Sequence, residues 1–339
     1  MRFIRTILVI VLLGVSFMGG ATVRGLHDAL RNATADLGNA VADTLRELPG
    51  YTLAPTPYTL LFVGDIMLSR AVGRIMEKQD DYLFSFRHIA DEIKSADIAF
   101  GNLENPISGR GKNQGSIYSF RADPRTVEGL EFAGFDVLSL ANNHMWDWGA
   151  DALQDTVTLL TTNNIQSVGA GIDYAHANNP VFLQADNTRV AFLAYTNLLP
   201  KSLNATLESP GLSDFNLEKI KQTIAQIRAQ ADIIVISLHW GEEYETSAND
   251  EQKEIAHALI DAGADIIAGH HSHVVQELEH YRGGVIAYSL GNFVFDQYFR
   301  KDTMQGAMLK VIVENKKVTA AELVPVILNQ SFQPGIPAS

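Results

Sequence analysis

The chain has 339 residues, of which 46% are hydrophobic, so it can bury one large α/β core or two smaller ones. Its 39 acidic residues outnumber 26 lysines and arginines, giving a net charge of −13, and this balance disfavours broad nucleic-acid binding, which needs a basic face. The absence of cysteine excludes disulfides, cysteine-ligated zinc, iron–sulfur clusters and a cysteine nucleophile, so a bound metal must use His, Asp, Glu or Asn.

The amino-terminal segment, residues 1–23, is predicted to be a membrane anchor or a signal segment. Two arginines precede a mostly apolar run from Ile7 to Val23, whose length is at the lower edge of what spans a bilayer. A positive flank before such a run favours a cytoplasmic amino terminus. We expect an uncleaved, single-pass anchor in the cell membrane, with the main domain extracytoplasmic. The alternative is a cleaved signal and a secreted protein, since Gly19 and Ala21 offer small residues to a peptidase.

Residues 24–57 are predicted to form a stalk or linker. Apolar residues recur at three- and four-residue steps from Leu26 to Leu45, which indicates one helix with a single apolar stripe, and prolines from Pro49 onward end it. The main domain is expected over residues 58–329. The remaining residues, 330–339, have the composition of a loose tail.

Within the main domain, strand-like and helix-like segments alternate. The predicted strands lie at 59–63, 97–100, 137–140, 190–195, 233–238, 265–268 and 285–289. The predicted helices lie at 70–78, 124–133, 150–163, 216–229 and 250–262. This rhythm favours an α/β domain with buried sheets and flanking helices. A late pair of strands, 307–313 and 318–326, is expected to form a β-hairpin that closes the sheet.

Polar side chains follow six predicted strands, at the point where each strand ends. In chain order the motifs are Gly64-Asp65, Gly101-Asn-Leu-Glu104, Asn142-Asn143-His144, His239-Trp-Gly241, Gly269-His-His-Ser-His273 and Ser289-Leu-Gly-Asn292. Any one of them can be an ordinary polar turn or helix cap. Six together predict a functional site, because the ends of parallel strands meet in one crevice. A His, Asp, Glu and Asn cluster without thiols suits Zn, Mn, Fe or Mg.

The order of these motifs, with Asn-Asn-His-x-x-Asp-x-Gly at 142–149 and Ser-Leu-Gly-Asn-Phe at 289–293, resembles the CapA/PgsA-type capsule and poly-γ-glutamate biosynthesis proteins. These proteins belong to the calcineurin-like metallophosphoesterase superfamily. The likeness extends from about Tyr58 to Asp296. It implies a four-layer α/β/β/α sandwich of the metallo-dependent phosphatase type, one or two divalent metal ions, and a membrane-tethered extracytoplasmic domain. It also implies a role in making, anchoring or trimming an anionic surface polymer.

The resemblance assigns roles to individual residues. His144, paired with Asp147, is similar to the His–Asp dyad of 5′-nucleotidases and would protonate a leaving group or stabilise charge. His270 would be an insertion or an outer residue. The implied metal ligands are Asp65, Glu104, Asn143, His239, His271 and His273.

Two positions depart from the superfamily pattern. Met67 replaces the histidine of the first motif, and a thioether is a poor ligand for a hard ion. Asn102 replaces a bridging aspartate, and Glu104 is the candidate substitute. These departures leave two functions open. One is a metal-dependent hydrolase acting on a phosphoester or a γ-glutamyl bond, and the other is a non-catalytic subunit of a polymer synthesis or export complex.

Substrate contacts are expected from a locally basic loop, 110–121, between two site motifs of an acidic protein. Arg110 and Arg121 are predicted to receive carboxylates or phosphates, and Asn292 is a third substrate-binding candidate. The expected partners are an anionic surface polymer or its precursor, the membrane and other polymer-synthesis subunits, with no nucleic acid.

Overall fold

The structure, a computed structural model, describes residues 57–337, so the predicted anchor and all but the last residue of the predicted stalk lie outside the described residues. Within that range no helix combines the length and apolar character needed to cross a bilayer. The seven α-helices of this range are α1 (Arg70–Gln79), α2 (Ala90–Ser95), α3 (Val127–Ala133), α4 (Gly149–Thr162), α5 (Tyr174–Asn178), α6 (Leu217–Ile227) and α7 (Asp250–Asp261).

Two large β-sheets lie between these helices. The strands are β1 (Tyr58–Ile66), β2 (Ile98–Leu103), β3 (Val137–Ser139), β4 (Gln166–Val168), β5 (Ala170–Gly171), β6 (Val181–Ala185), β7 (Thr188–Thr196), β8 (Gly211–Leu212), β9 (Ile233–His239), β10 (Ile266–His270), β11 (Leu278–Tyr281), β12 (Gly284–Ala287), β13 (Asn292–Val294), β14 (Gln305–Glu314), β15 (Lys317–Leu328) and β16 (Pro334–Gly335). The first sheet has the order β16-β15-β14-β1-β2-β3-β4, with β13 also paired to β1, and the second has the order β11-β12-β10-β9-β7-β6.

The alternation of apolar side chains in β1 explains the layered arrangement. Leu60 and Phe62 face a core shared by the two sheets, whereas Leu61 and Val63 face a second core under α1 to α4. A strand that is apolar on both faces must be covered on both faces. The second sheet is covered on its outer face by α6 and α7. The predicted four-layer α/β/β/α sandwich is therefore confirmed.

Helix α6 illustrates how local sequence fixes the outer layer. Asn216 accepts a hydrogen bond from the backbone N–H of Lys219, which caps the helix at its amino end. Ile220, Ile224 and Ile227 are buried at the three- and four-residue spacing of one helix face. The helix therefore packs one apolar stripe onto the second sheet.

The carboxyl-terminal part of the chain agrees with prediction in one element and differs in another. The expected hairpin is confirmed: β14 and β15 pair around Asn315 and Lys316, both with left-handed φ, as a two-residue type I′ turn requires. Beyond it, Phe332 is buried and the Gln333 side chain donates to the carbonyl of Phe84 at 2.7 Å. Because β16 also pairs with β15, this segment packs on the sheet and is not the loose tail that its composition suggested.

Candidate metal and catalytic site

The carboxyl ends of strands from both sheets meet at one buried centre. Asp65 is the second-last residue of β1, Glu104 directly follows β2, and His239 is the last residue of β9. One ligand atom from each of these residues lies within 4.8 Å of the other two. Glu104 Oε1 is buried and has no hydrogen-bond partner among the described residues. A buried carboxylate oxygen without a donor is costly, so this arrangement fits a divalent cation.

The histidine loop after β10 adds two further candidate ligands to this centre. His273 Nδ1 lies 3.3 Å from Asp65 Oδ2, and its Nε2 lies 3.8 Å from Glu104 Oε1. His271 Nδ1 is buried without a partner in the described structure. Both residues have left-handed backbone, with φ of 97° and 58°, which side chains of this size adopt only under constraint. The loop is held in a strained form that presents both predicted ligands.

The remaining metal candidate, Asn143, and the extra histidine also lie here. Asn143 Oδ1 and His239 Nε2 are 2.8 Å apart, so both are presented to the same space. His270 is fully buried, with Nδ1 3.4 Å from Asp65 Oδ1. His270 thus sits beside the carboxylate of Asp65, and the interpretation of it as an insertion or an outer residue stays a prediction.

Burial and mutual charge set the protonation of the centre. Burial raises the pKa of Asp65, but hydrogen bonds and charge from His270 and His273 outweigh it and hold that pKa well below its usual range. Burial, followed by the charge of Asp65, raises the pKa of Glu104 well above its usual range. Burial is also the main cause that lowers the pKa of His239 well below normal. A neutral imidazole is the form that binds metal ions.

Met67 and Asn102, the two departures from the superfamily pattern, are both buried, Met67 in the apolar core under α1 to α4 and Asn102 beside Asp65. Met67 Sδ accepts hydrogen bonds from the backbone N–H and the hydroxyl of Ser69 at 3.2 and 3.1 Å, so its sulfur is engaged locally. Asn102 Nδ2 donates to Asp65 Oδ1 at 2.8 Å and lies 3.3 Å from His239 Nδ1. The position that the resemblance gives to a bridging carboxylate is therefore occupied by an amide donor.

The predicted dyad is formed at the edge of the centre. His144 Nδ1 lies 2.8 Å from Asp147 Oδ2, which also accepts the backbone N–H of Phe120 at 2.8 Å. The Phe120 ring stacks on the imidazole with centroids 3.9 Å apart. His144 Nε2 lies 4.0 Å from Glu104 Oε1. The dyad thus fixes the ring and leaves Nε2 directed toward the centre, where it can transfer a proton.

His144 and His273 open onto a cleft of about 240 Å³. Its walls include side chains that the sequence interpretation did not select: Arg70, Phe120, Glu243, Tyr244 and Phe299. Glu243 and Tyr244 lie just beyond the His-Trp-Gly motif, and this proximity is the signal that could have identified them. Arg70 carried no comparable signal, because it reaches the cleft from the start of α1.

The three predicted substrate-binding residues lie outside the walls of this cleft. Arg110 forms an ion pair with Asp155, and Arg121 stacks over the Trp148 ring at 3.6 Å. Asn292 is fully buried; its Oδ1 lies 3.0 Å from His273 Nδ1, and its amide nitrogen donates to Gln297 and Thr303. Asn292 therefore contacts a candidate metal ligand, and all three predicted substrate contacts stay predictions.

Comparison with known proteins identifies a matching family model and similar proteins. The family model described as "Bacterial capsule synthesis protein PGA_cap" matches residues 59–297. The chain is 36% identical over 281 residues to the capsule biosynthesis protein CapA of Bacillus anthracis, covering 80% of this chain and 68% of that protein. It is 34% identical over 274 residues to the PGA biosynthesis protein CapA of Bacillus subtilis (strain 168), covering 80% and 71%.

Two solved structures share the fold. One is a novel phosphatase from Mycoplasma pneumoniae, with a TM-score of 0.53 and 15% identity, covering 80% of this chain and 94% of that chain. The other is a putative 5′-nucleotidase from Staphylococcus aureus in complex with alpha-ketoglutarate, with a TM-score of 0.53 and 17% identity, covering 82% and 56%. At these identities the likeness establishes the architecture alone.

Proposed function

This chain belongs to the bacterial capsule synthesis (PGA_cap) family, and from that premise we propose that it is a metal-dependent hydrolase of capsule and poly-γ-glutamate biosynthesis. The bond cleaved is a γ-glutamyl amide of the polymer or a phosphoester of a precursor. The observation that carries the proposal is the buried cluster of Asp65, Glu104 and His239, with its unpartnered carboxylate oxygen. A purely structural core has no need of such an atom.

The donor set supports one divalent ion, held by Asp65, Glu104 and His239, with His271, His273 and Asn143 as further ligands in reach. Hard to borderline ions such as Mn, Zn, Fe or Mg suit oxygen and imidazole ligands. When bound, the ion would supply Lewis acidity and would lower the pKa of water into the neutral range.

The chain's own residues carry the rest of the mechanism. Asp147 holds Nδ1 of His144, so a proton can be given or taken only at Nε2. Stacking against Phe120 keeps the imidazole plane fixed. We infer that His144 Nε2 donates a proton to the leaving nitrogen or oxygen at the floor of the cleft.

The proposal includes the location of the protein. The charged and apolar amino-terminal segment, residues 1–23, supports a single membrane span with the hydrolase domain outside the cytoplasm. Cell fractionation followed by alkaline extraction tests it: the full chain is expected in the membrane pellet and accessible to external protease. Recovery in the cytosolic fraction would contradict it.

A second candidate function is a non-catalytic subunit of the polymer synthesis machinery. The engaged sulfur of Met67 and the amide donor of Asn102 favour it, because neither adds a ligand to the centre. The partners would then be other polymer-synthesis subunits, and the buried centre would have only a structural role.

One experiment separates the two functions. The full chain is purified, its metal content is measured by mass spectrometry, and it is incubated with poly-γ-glutamate and with an aryl phosphate ester. The hydrolase proposal expects bound metal, and cleavage that a chelator stops and Mn²⁺ restores. Absence of metal and of cleavage, together with normal polymer production by an Asp65→Ala strain, would overturn it in favour of the subunit.

A further inference from the structure

The cleft above the candidate centre carries one cation and one anion on its walls. Arg70 begins α1, which follows the first sheet's β1, whereas Glu243 follows β9 of the second sheet. The two side chains thus come from different sheets and face the same space. Around them the walls are aromatic, from Phe120, Tyr244 and Phe299. A ligand with two opposite charges close together matches this pattern.

The position of Arg70 is fixed by the fold. Asp296 Oδ1 lies 3.2 Å from a terminal nitrogen of Arg70, and Asp296 Oδ2 accepts the backbone N–H of Ala71 at 2.9 Å. The Arg70 side chain is still 36% exposed. Because a guanidinium carries five N–H donors, the ion pair leaves donors for an incoming carboxylate.

The backbone is strained at the two places where Arg70 and Glu243 enter the cleft. Arg70 has φ of 54° and Tyr244, next to Glu243, has φ of 68°. Left-handed backbone is costly for residues with a β-carbon and persists where the surrounding structure enforces it. Tyr244 is held by its backbone hydrogen bond to Ser272, at 2.7 Å, and by edge-on packing against Phe299. The fold therefore enforces the placement of both walls.

The charge pattern discriminates between ligand classes. A phosphoester, or an inner segment of an anionic polymer, offers a negatively charged partner to Arg70 but no cation to Glu243. An ammonium group beside a carboxylate is attracted by Glu243 and Arg70 together.

Resting on the proposed function, we propose that this cleft binds the free amino end of a γ-glutamyl chain. When glutamate is linked through its side-chain carboxyl, only the first residue keeps both its α-ammonium and its α-carboxylate. That head is the zwitterion that Glu243 and Arg70 would bind, with the aromatic walls along its methylene groups. The site would then act at chain ends and would leave the interior of the polymer intact.

Calorimetric titration of the Mn²⁺-loaded full chain tests this assignment. The probes are a short γ-glutamyl oligomer, the same oligomer acetylated on its amino group, and the same oligomer with its first α-carboxylate converted to an amide. The native oligomer is expected to bind about tenfold more tightly than either blocked form, as for a lost charged hydrogen bond. Glu243→Gln should remove the discrimination against acetylation alone, and Arg70→Gln the discrimination against the amide alone.

Two matched control variants test whether the loss of discrimination comes from the cleft residues and not from a general disturbance of the fold. Glu242→Gln and Arg74→Gln make the same changes at exposed neighbours outside the cleft walls, and both should keep native discrimination. Arg70→Lys, which keeps the charge, should retain part of it if Arg70→Gln perturbs folding. Equal affinity for free and acetylated oligomers, or no binding of any oligomer, would overturn the proposal. Metal-dependent cleavage of acetylated polymer would overturn end recognition while leaving the proposed hydrolase intact.

Discussion

Asn142 Nδ2 donates to Asn102 Oδ1 at 3.1 Å, and this hydrogen bond determines which way the Asn102 amide faces in the buried centre. Asn142 Nδ2 also donates to the carbonyl of Leu103 at 2.8 Å, while its Oδ1 accepts the backbone N–H of His144. A carbonyl can only accept and a backbone N–H can only donate, so the orientation of the Asn142 amide is determined. Asn102 must then turn its amino group toward Asp65. The centre therefore contains a neutral donor among its anionic and imidazole groups.

Asn102→Asp is expected to strengthen binding of a divalent ion. The change replaces the donor with a carboxylate between Asp65 and His239, and more ligand charge raises cation affinity. We expect Mn²⁺ to bind at least about tenfold more tightly, or about 1.4 kcal/mol, by calorimetric titration. Asn187→Asp, in the exposed β6–β7 turn, makes the same charge change away from the centre and should not alter affinity. Unchanged or weaker binding in Asn102→Asp would contradict this account of the donor.

Metal removal should destabilise the folded chain. An ion that binds only the native state at about 100 times its dissociation constant adds about 2.7 kcal/mol of stability. A chelator is therefore expected to lower the Tm of the full chain, and Mn²⁺ to restore it. Glu104→Gln should lose this response because the ligand is gone, whereas exposed Glu322→Gln should keep it. A Tm that does not change when the chelator is added would contradict the presence of a bound ion.

His144→Ala is expected to separate catalysis from metal binding. Removing a positioned proton donor lowers turnover by about 10²- to 10⁴-fold, and the metal content should stay unchanged. A matched control exists in His176, which pairs with Asp173 at the same three-residue spacing and the same 2.8 Å distance but is exposed. His176→Ala should have no effect on turnover. A strain carrying His144→Ala that makes normal polymer would favour the non-catalytic subunit.

Asn292→Ala should weaken the centre indirectly. Its Oδ1 lies 3.0 Å from His273 Nδ1, so it orients that ring toward Glu104. Losing such a support for a metal ligand typically costs about 10- to 100-fold in affinity. Calorimetric titration with Mn²⁺ measures the loss, and Asn163→Ala, at the end of α4, is the control. Native affinity in Asn292→Ala would mean that His273 does not depend on this hydrogen bond for its orientation.

The sequence identified the centre because strand ends obey a simple rule. Apolar runs located β1, β2, β9 and β10, and in parallel sheets the side chains just after such runs converge. The motifs that contain Asp65, Glu104 and His239 were found in this way, and the family resemblance then implied that these residues are metal ligands. The alternation of strand-like and helix-like segments predicted an α/β domain with buried sheets, and the family resemblance implied the four-layer sandwich, which is confirmed.

The cleft walls escaped prediction because they depend on contacts between distant segments. Arg70 reaches the cleft through Asp296, which is far away in the chain, and no local pattern encodes that pairing. Arg110 and Arg121 are a different case, and their substrate contacts stay predictions. Their charge suggested ligand binding, but Asp155 and Trp148 engage them outside the cleft. The sequence shows which residues are charged, whereas tertiary packing determines which groups each charged side chain contacts.

The interface between the two sheets provides a stability test that is independent of the metal. Phe100 of the first sheet and Phe192 of the second stack with centroids 5.7 Å apart and an interplanar angle of 8°. Both are buried in the shared core. Phe192→Ala is expected to lower the free energy of unfolding by about 3–5 kcal/mol, because it removes transfer energy and leaves a cavity between layers that cannot close.

Urea unfolding of the metal-free full chain measures this cost without a contribution from bound ion. Ile117→Ala is the control, since that side chain is 92% exposed and its truncation should change stability by less than about 0.5 kcal/mol. Phe192→Leu keeps much of the volume and should recover a large part of the loss. A cost for Phe192→Ala no greater than that of the control would mean that the sheets do not depend on this contact. The cohesion of the sandwich would then have to come from the aliphatic side chains around it.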